Sequence, residues 1–298
     1  MKQPIAIVGA NGRLGRALLE ECRRRGHPVA PLTRHDLDLA WSRRKIHEAL
    51  ESCRDSRLLL LAAGNTNVDV CEHEPETAEQ LNCLAVEHIA QWCAANGTRL
   101  VNFSSDYVFD GEKDSPYRED DPAHPLSVYG RSKVDGEIAT LEASPDNLVV
   151  RLQWLFGPGK PLATPDWAVA LAVENDTLNI VGDRVGAPSY TRDIAAALEP
   201  LFFDPRATGI LHLSNAGSCS WLEWARFCVE CAADCGVPVR ARNLTGVSME
   251  DVFGDRATRP RYTVFSLEKY RDLTGREMPD WRGSVREYIR DFVAPRFL

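Results

Sequence analysis

The run Ile5-Ala6-Ile7-Val8-Gly9-Ala10-Asn11-Gly12-Arg13-Leu14-Gly15 decides the fold. Four consecutive apolar residues read as a buried strand that stops at Gly9. From Arg13 to Arg25, Leu14, Leu18 and Cys22 recur four apart, the spacing of one helix face. The glycines between strand and helix fall at spacing three and three. A diphosphate must approach the backbone without a Cβ in the way. The helix amino terminus then offers free N–H groups and a partial positive charge. The unit therefore reads as a dinucleotide-binding turn, with Gly9, Asn11, Gly12, Arg13, Leu14 and Gly15 facing the cofactor. Its pattern is GxxGxxG, not the broader GxGxxG. Its place directly after a buried strand carries the reading against an ordinary strand–turn–helix.

Working outward, Pro28 to Leu32, Arg57 to Ala63, Leu100 to Phe103 and Leu148 to Leu152 are further candidate strands. A helix is expected from about Pro75 to Ala95, with Leu81, Leu84, Ala85, Ile89 and Trp92 on its face. Continuous apolar strands separated by helices indicate an α/β fold: a doubly wound parallel sheet, Rossmann-like, covered on both faces. The Pro/Gly-rich stretch GPGKPLATPD marks a boundary. We expect a dinucleotide-binding domain over 1–155, with segments around 180–215 returning to it. A smaller substrate lobe is expected over 156–298. Its candidate helices are Trp167 to Glu174, Asp193 to Leu201 and Trp221 to Ala233, and its extended pieces Leu178 to Val181 and Ile210 to Leu213.

Composition narrows the function. The chain has 298 residues, 44% hydrophobic and 26% charged, with a net charge of −8. A net negative protein repels phosphate backbones, so nucleic acid and anionic membranes are disfavoured as partners. No apolar run approaches the ~18 residues of a membrane span. The amino-terminal stretch does not read as a secretion signal. Nine cysteines are then expected to be reduced thiols of a cytoplasmic protein. Cys228, Cys231 and Cys235 share a helix face with Cys219 just upstream, but no histidine or second CxxC accompanies them. They read as small core side chains, and no metal is expected.

Two further segments carry chemistry. At the end of the second strand an acidic residue favours NAD and a basic one accommodates the extra phosphate of NADP. Arg34 is the nearest charge there, which leans towards NADP, and Asp38 and Leu39 follow as further adenosine-side residues. Tyr129 and Lys133 stand four apart, so on a helix they share a face. Ser105 closes the strand that precedes them. In a parallel sheet, ligands sit beyond the carboxyl ends of the strands. A phenol that donates and accepts a proton near pH 7 gains from a pKa below its free value of ~10, and a neighbouring ammonium lowers it. A hydroxyl at Ser105 would meet a carbonyl oxygen as it gains charge.

Together these motifs resemble the extended short-chain dehydrogenases/reductases, and within them the dTDP-4-dehydrorhamnose reductase family. The resemblance runs in order along most of the chain. It includes LDL at Leu37 to Leu39, AAGNTNVDVCEHEPE at Ala62 to Glu76, and LNCLA at Leu81 to Ala85. SSDYVFDG at Ser104 to Gly111, YGRSKVDGE at Tyr129 to Glu137 and RLQWLFG at Arg151 to Gly157 follow, then GDRVGAPSYTRDIA at Gly182 to Ala195 and RP at Arg259-Pro260. The resemblance implies a catalytic Ser105, Tyr129 and Lys133, with serine standing where the family usually has threonine. It places Thr66, Val68, Asp106, Tyr107 and Trp154 at a sugar site, and Asn82 as an active-site asparagine. Ala62 and Ala63 would approach the cofactor by backbone, and Tyr129 and Lys133 would also touch it. The implied activity is NADPH-dependent reduction of the 4-keto group of a nucleotide-linked 4-keto-6-deoxy sugar, and a homodimer is compatible with it. Two alternatives stand beside it: a ketoreductase for another nucleotide sugar or small carbonyl, and an NADP-binding regulatory subunit like the methionine adenosyltransferase beta subunit. Departures cluster in the sugar lobe, where Arg184 replaces the glutamine of DQxGxPT and RYTVF follows Arg259-Pro260. Lys160, Arg184, Arg259 and Arg261 are candidate diphosphate contacts or, equally, surface charges.

Overall fold

Each central strand is apolar on both sides, so it is stable only between two helix layers. The computed structural model, which describes residues 2–298, shows that arrangement. Six parallel strands lie in the order Gly209–His212, Leu148–Leu152, Arg99–Ser105, Leu58–Leu61, Ile5–Val8, Val29–Leu32. Ile5 pairs with Leu58 on one side and Val29 on the other. The chain therefore reverses its direction of winding beside the first strand, and the crevice opens at that point.

Side-chain alternation sorts the two layers. Ile5, Ile7, Leu58 and Leu60 face the helices Arg13–Arg24 and Thr191–Leu198 through Leu14, Leu18, Ile194 and Leu198. Ala6, Val8, Leu59 and Leu61 face Arg43–Leu50 and Ala85–Asn96 through Ile46, Leu50, Ile89 and Trp92. Helix Thr191–Leu198 and edge strand Gly209–His212 thus join the sheet from later in the chain, and Tyr270 and Met278 close the same core.

A second core gathers Phe156, Val169, Tyr190, Trp224, Trp281 and Tyr288. Cys219, Cys228 and Cys231 are buried within it, and burial pushes the Cys231 thiol up to about 11. This lobe holds a parallel pair, Thr177–Val181 with Asn243–Val247. Among the described residues no helix is long and apolar enough to cross a membrane.

The helix expected over 75–95 is divided. Pro75–Glu79 runs into a π turn, Gln80–Leu84, before Ala85–Asn96 continues. The widened turn carries Asn82, and π bulges often mark functional positions.

Candidate active site

The glycine turn shows why only glycine fits. Gly9 has φ +81°, and a Cβ there would lie 2.7 Å from the Ala62 carbonyl oxygen. A Cβ on Gly15 would stand 2.1 Å from the Gly9 oxygen, so Gly15 lets the helix seat against the strand. Gly12 caps the helix Arg13–Arg24 with no side-chain bond and no acidic residue in the first turn. Its amide groups stay available to an anion. This bare cradle fits a dinucleotide diphosphate.

Tyr129 and Lys133 lie on helix Val128–Ala143, which Ser127 caps by accepting from the Gly130 amide at 3.2 Å. A Cβ at Gly130 would meet the Tyr107 carbonyl oxygen at 2.3 Å, so glycine lets this helix approach the strand end that carries Ser105. Tyr107 packs edge-on against Tyr129, ring centres 5.3 Å apart. The Ser105 hydroxyl donates to Asp106 Oδ1 at 3.1 Å and accepts from the Tyr107 amide at 3.3 Å. Asp106 also accepts from Thr263 Oγ1 at 2.8 Å. Asp106 is buried, and that burial raises its carboxyl against the pull of Arg184 and the two hydroxyls.

Burial also acts on the phenol. It pushes Tyr129 above its ordinary value, against the pull of the Ser105 hydroxyl. The expected lowering by Lys133 does not appear: desolvation of a phenolate dominates, and Asp106, Tyr107 and Cys71 push the same way. Tyr129 therefore carries its proton at neutral pH. Burial brings Lys133 down to about 8, with Glu137 working the other way.

Ser105, Tyr129 and Lys133 line one cleft of about 720 Å³ with Gly9, Asn11, Gly12, Arg13 and Leu14. Arg34, Asp38, Leu39, Ala62 and Ala63 also line it, as do Thr66, Val68, Asp106, Tyr107 and Trp154. The Arg34 side chain is 76% exposed and pairs with Asp38 at 3.0 Å. Lys160 and Arg184 also line the cleft.

The remaining residues sit elsewhere. Gly15 lies behind the turn. Asn82 is 1% exposed. It accepts from the Asn65 amide at 2.8 Å and donates to the Asn65 carbonyl and Ser132 Oγ, so it holds a cleft loop from behind. Arg259 is taken by Asp69, with two contacts of 2.9 Å, and lies over Phe253. Arg261 is absent from the lining. The Arg13 guanidinium donates to the carbonyls of Gly157 and Pro161. That tie draws the loop through Lys160, Leu162 and Thr164 into the wall. Trp221 and Trp224 are lining residues with no motif to announce them, and Gln153 lies inside the RLQWLFG stretch without being singled out by it. The two tryptophans read as the apolar face of a helix, and the strand end before Gln153 was a second signal that pointed to it.

Comparison with known proteins gives a consistent picture. The family model described as "RmlD substrate binding domain" matches residues 1–294. A dTDP-4-dehydrorhamnose reductase of Mycolicibacterium smegmatis is 34% identical over 295 residues, covering 98% of this chain and 87% of that protein. The spore coat polysaccharide biosynthesis protein SpsK of Bacillus subtilis is 32% identical over 287 residues, covering 96% and 97%. The crystal structure of a dTDP-4-dehydrorhamnose reductase from Bacillus anthracis, in complex with NADP, superposes with a TM-score of 0.89. It is 29% identical and covers 97% of this chain and 99% of that one.

Proposed function

The chain belongs to the dTDP-4-dehydrorhamnose reductase family of extended short-chain dehydrogenases/reductases, and from that premise we propose that it reduces the 4-keto group of a nucleotide-linked 4-keto-6-deoxy sugar with NADPH. One observation carries the reading: a phenol, an amine and a small hydroxyl line the same cleft as a bare glycine cradle. Relatives named as reductases of that sugar, and a neighbour solved with NADP, support it. A cytoplasmic location and a homodimer complete the proposal.

Gly9, Gly12 and the uncapped helix would hold the dinucleotide diphosphate, Arg34 the adenosine phosphate, and Ala62 and Ala63 would approach by backbone. When bound, the dinucleotide supplies a hydride to the carbonyl carbon. Tyr129 gives its phenolic proton to the carbonyl oxygen as the π electrons move onto it, so the product is an alcohol. Lys133, one helical turn on, offers its ammonium to the resulting phenolate. Ser105, held by Asp106, lies beside the oxygen and fixes its direction. Asp106 thus positions the hydroxyl. The sugar lies against Tyr107 and Trp154.

Tyr129→Phe tests the reading. Turnover is expected to fall about 10³-fold, in the range for loss of a general acid, with NADPH affinity unchanged. Activity within tenfold of the parent would reject the role. A panel of nucleotide sugars separates the 4-keto-6-deoxy sugar from other carbonyls. NADP binding with no turnover and a stoichiometric protein partner would favour the regulatory alternative.

A further inference from the structure

The segment RYTVF at Arg261 to Phe265 departs from the family pattern and sets one hydroxyl at the head of an apolar run. Thr263 is fully buried, and Val264 and Phe265 after it are buried too. A buried hydroxyl is costly unless it is hydrogen-bonded. Thr263 Oγ1 donates to Asp106 Oδ2 at 2.8 Å, across 157 positions of chain. Thr263 is not part of the cleft lining, whereas Asp106 is, so the contact reaches Asp106 from outside the cleft. Backbone bonds fix the place of Thr263. Its amide donates to the Val185 carbonyl at 2.9 Å, and the Val185 amide donates to the Arg261 carbonyl at 2.7 Å. Gly111 admits the segment beside the strand end: a Cβ there would stand 2.6 Å from the Arg261 amide nitrogen.

Asp106 needs such a partner. It adjoins Ser105 in the chain, and its Oδ1 accepts from the Ser105 hydroxyl at 3.1 Å. A serine side chain turns among staggered rotamers. Asp106, together with the Tyr107 amide at 3.3 Å, selects one of them. That selection lasts only while the Asp106 carboxyl group is itself held. Arg184 does not hold it by a hydrogen bond, because Nη2 stands 3.9 Å from Oδ2. Among the described residues, Thr263 is the side chain that donates to Asp106 from outside its own turn. Asp106 is 2% exposed, so bulk water is not at hand to replace the lost donor. Without the Thr263 hydroxyl, a buried acceptor is left unsatisfied. The carboxyl group then turns towards another donor, and the Ser105 hydroxyl loses the partner that aims it.

We propose that Thr263 is a positioning residue for the reduction: its hydroxyl fixes Asp106, and through Asp106 it fixes the direction of the Ser105 hydroxyl that acts on Tyr129. This rests on the reading that Ser105 and Tyr129 serve the reduction of a keto sugar. The test measures turnover of dTDP-4-dehydrorhamnose with NADPH for the parent, Thr263→Val, Thr263→Ser, Ser105→Ala and the double variant Ser105→Ala/Thr263→Val. Thr263→Val keeps the shape and removes the hydroxyl. Its kcat should fall about 10- to 100-fold, the cost of misplacing a group at the reacting centre by about 1 Å, with NADP affinity unchanged. Thr263→Ser restores the hydroxyl and should stay within about threefold of the parent. In the Ser105→Ala background no hydroxyl is left to aim, so adding Thr263→Val should cost less than about twofold. A Thr263→Val variant within about twofold of the parent, or one that loses as much without Ser105 as with it, overturns the proposal. The second result would make Thr263 merely structural. A parent that turns over no keto sugar would reject the reductase reading, and a crystal structure of NADP-loaded Thr263→Val then decides this one. Ser105 Oγ and Asp106 Oδ1 separated beyond about 3.5 Å would uphold the proposal, and the pair unmoved would overturn it.

Discussion

Replacing Glu137 by glutamine separates two jobs that one carboxylate performs. Arg151 Nε and Nη2 donate to its two oxygens at 2.8 and 2.7 Å, and both side chains are about 4% exposed or less. Removing one partner of such a pair leaves an uncompensated buried charge, a loss of about 3–5 kcal/mol. For a chain of this size that lowers the melting point by roughly 5–8 °C. Glu137 is also the carboxylate that holds the Lys133 pKa up, against burial that has brought it to about 8. Lys133 is protonated below that value and neutral above it. The free enzyme should therefore lose kcat/KM for NADPH as pH rises through about 8, and Glu137→Gln should move that alkaline limb to lower pH. Stability follows the same group. Its pKa is depressed on folding, so burying the ammonium costs stability below about pH 8. That cost is relieved as pH climbs from there towards the unfolded value of ~10.4. Chemical denaturation and a pH–rate profile read the two effects separately. Adding Arg151→Met should return part of the stability and leave the limb displaced. A single variant within 1 kcal/mol of the parent, or one whose alkaline limb stays in place, would refute the reasoning.

Three other perturbations follow, two of them on the cofactor side. Gly15→Ala drives a Cβ into the Gly9 carbonyl, where only backbone could yield. A loss of at least about 3 kcal/mol is expected, along with NADPH binding, in denaturation and fluorescence titrations. Gly283→Ala, on helix Trp281–Tyr288 with open space around it, should be neutral or stabilising by up to about 1 kcal/mol. Arg34→Ala should cost about tenfold in NADPH affinity and little in NADH affinity. Equal losses for both cofactors would show that Arg34 does not read the extra phosphate.

The parallel sheet was legible because its strands are short apolar runs buried on both faces. Ile5–Val8 and Leu58–Leu61 could form little else once helices flanked them. The glycine turn and the Tyr129/Lys133 pair were legible because each is local: the chemistry sits within seven residues of chain. The π turn at Gln80–Leu84 was not, since adding one residue to a turn leaves the apolar spacing nearly intact. The strand Asn243–Val247 escaped notice because most of its residues are exposed or half-buried and show no apolar alternation. Partners far apart in the chain were also hidden. Arg259 carries the charge of a phosphate contact, yet it is spent on Asp69, 190 positions earlier. Arg184 carries the same charge and is left without a hydrogen-bond partner at Nε and Nη2. Nothing in their local sequence distinguishes the two; only the packing does.

The most direct measurement is a turnover with NADPH deuterated at the transferable position of the nicotinamide and dTDP-4-dehydrorhamnose as acceptor, with the product read by NMR. Deuterium at C4 of the sugar, in proportion to NADPH consumed and lost in Tyr129→Phe, is the expected result. Oxidation of NADPH without deuterium at C4, or label transfer undiminished in that variant, would contradict a cleft built for hydride delivery beside the Tyr129 phenol.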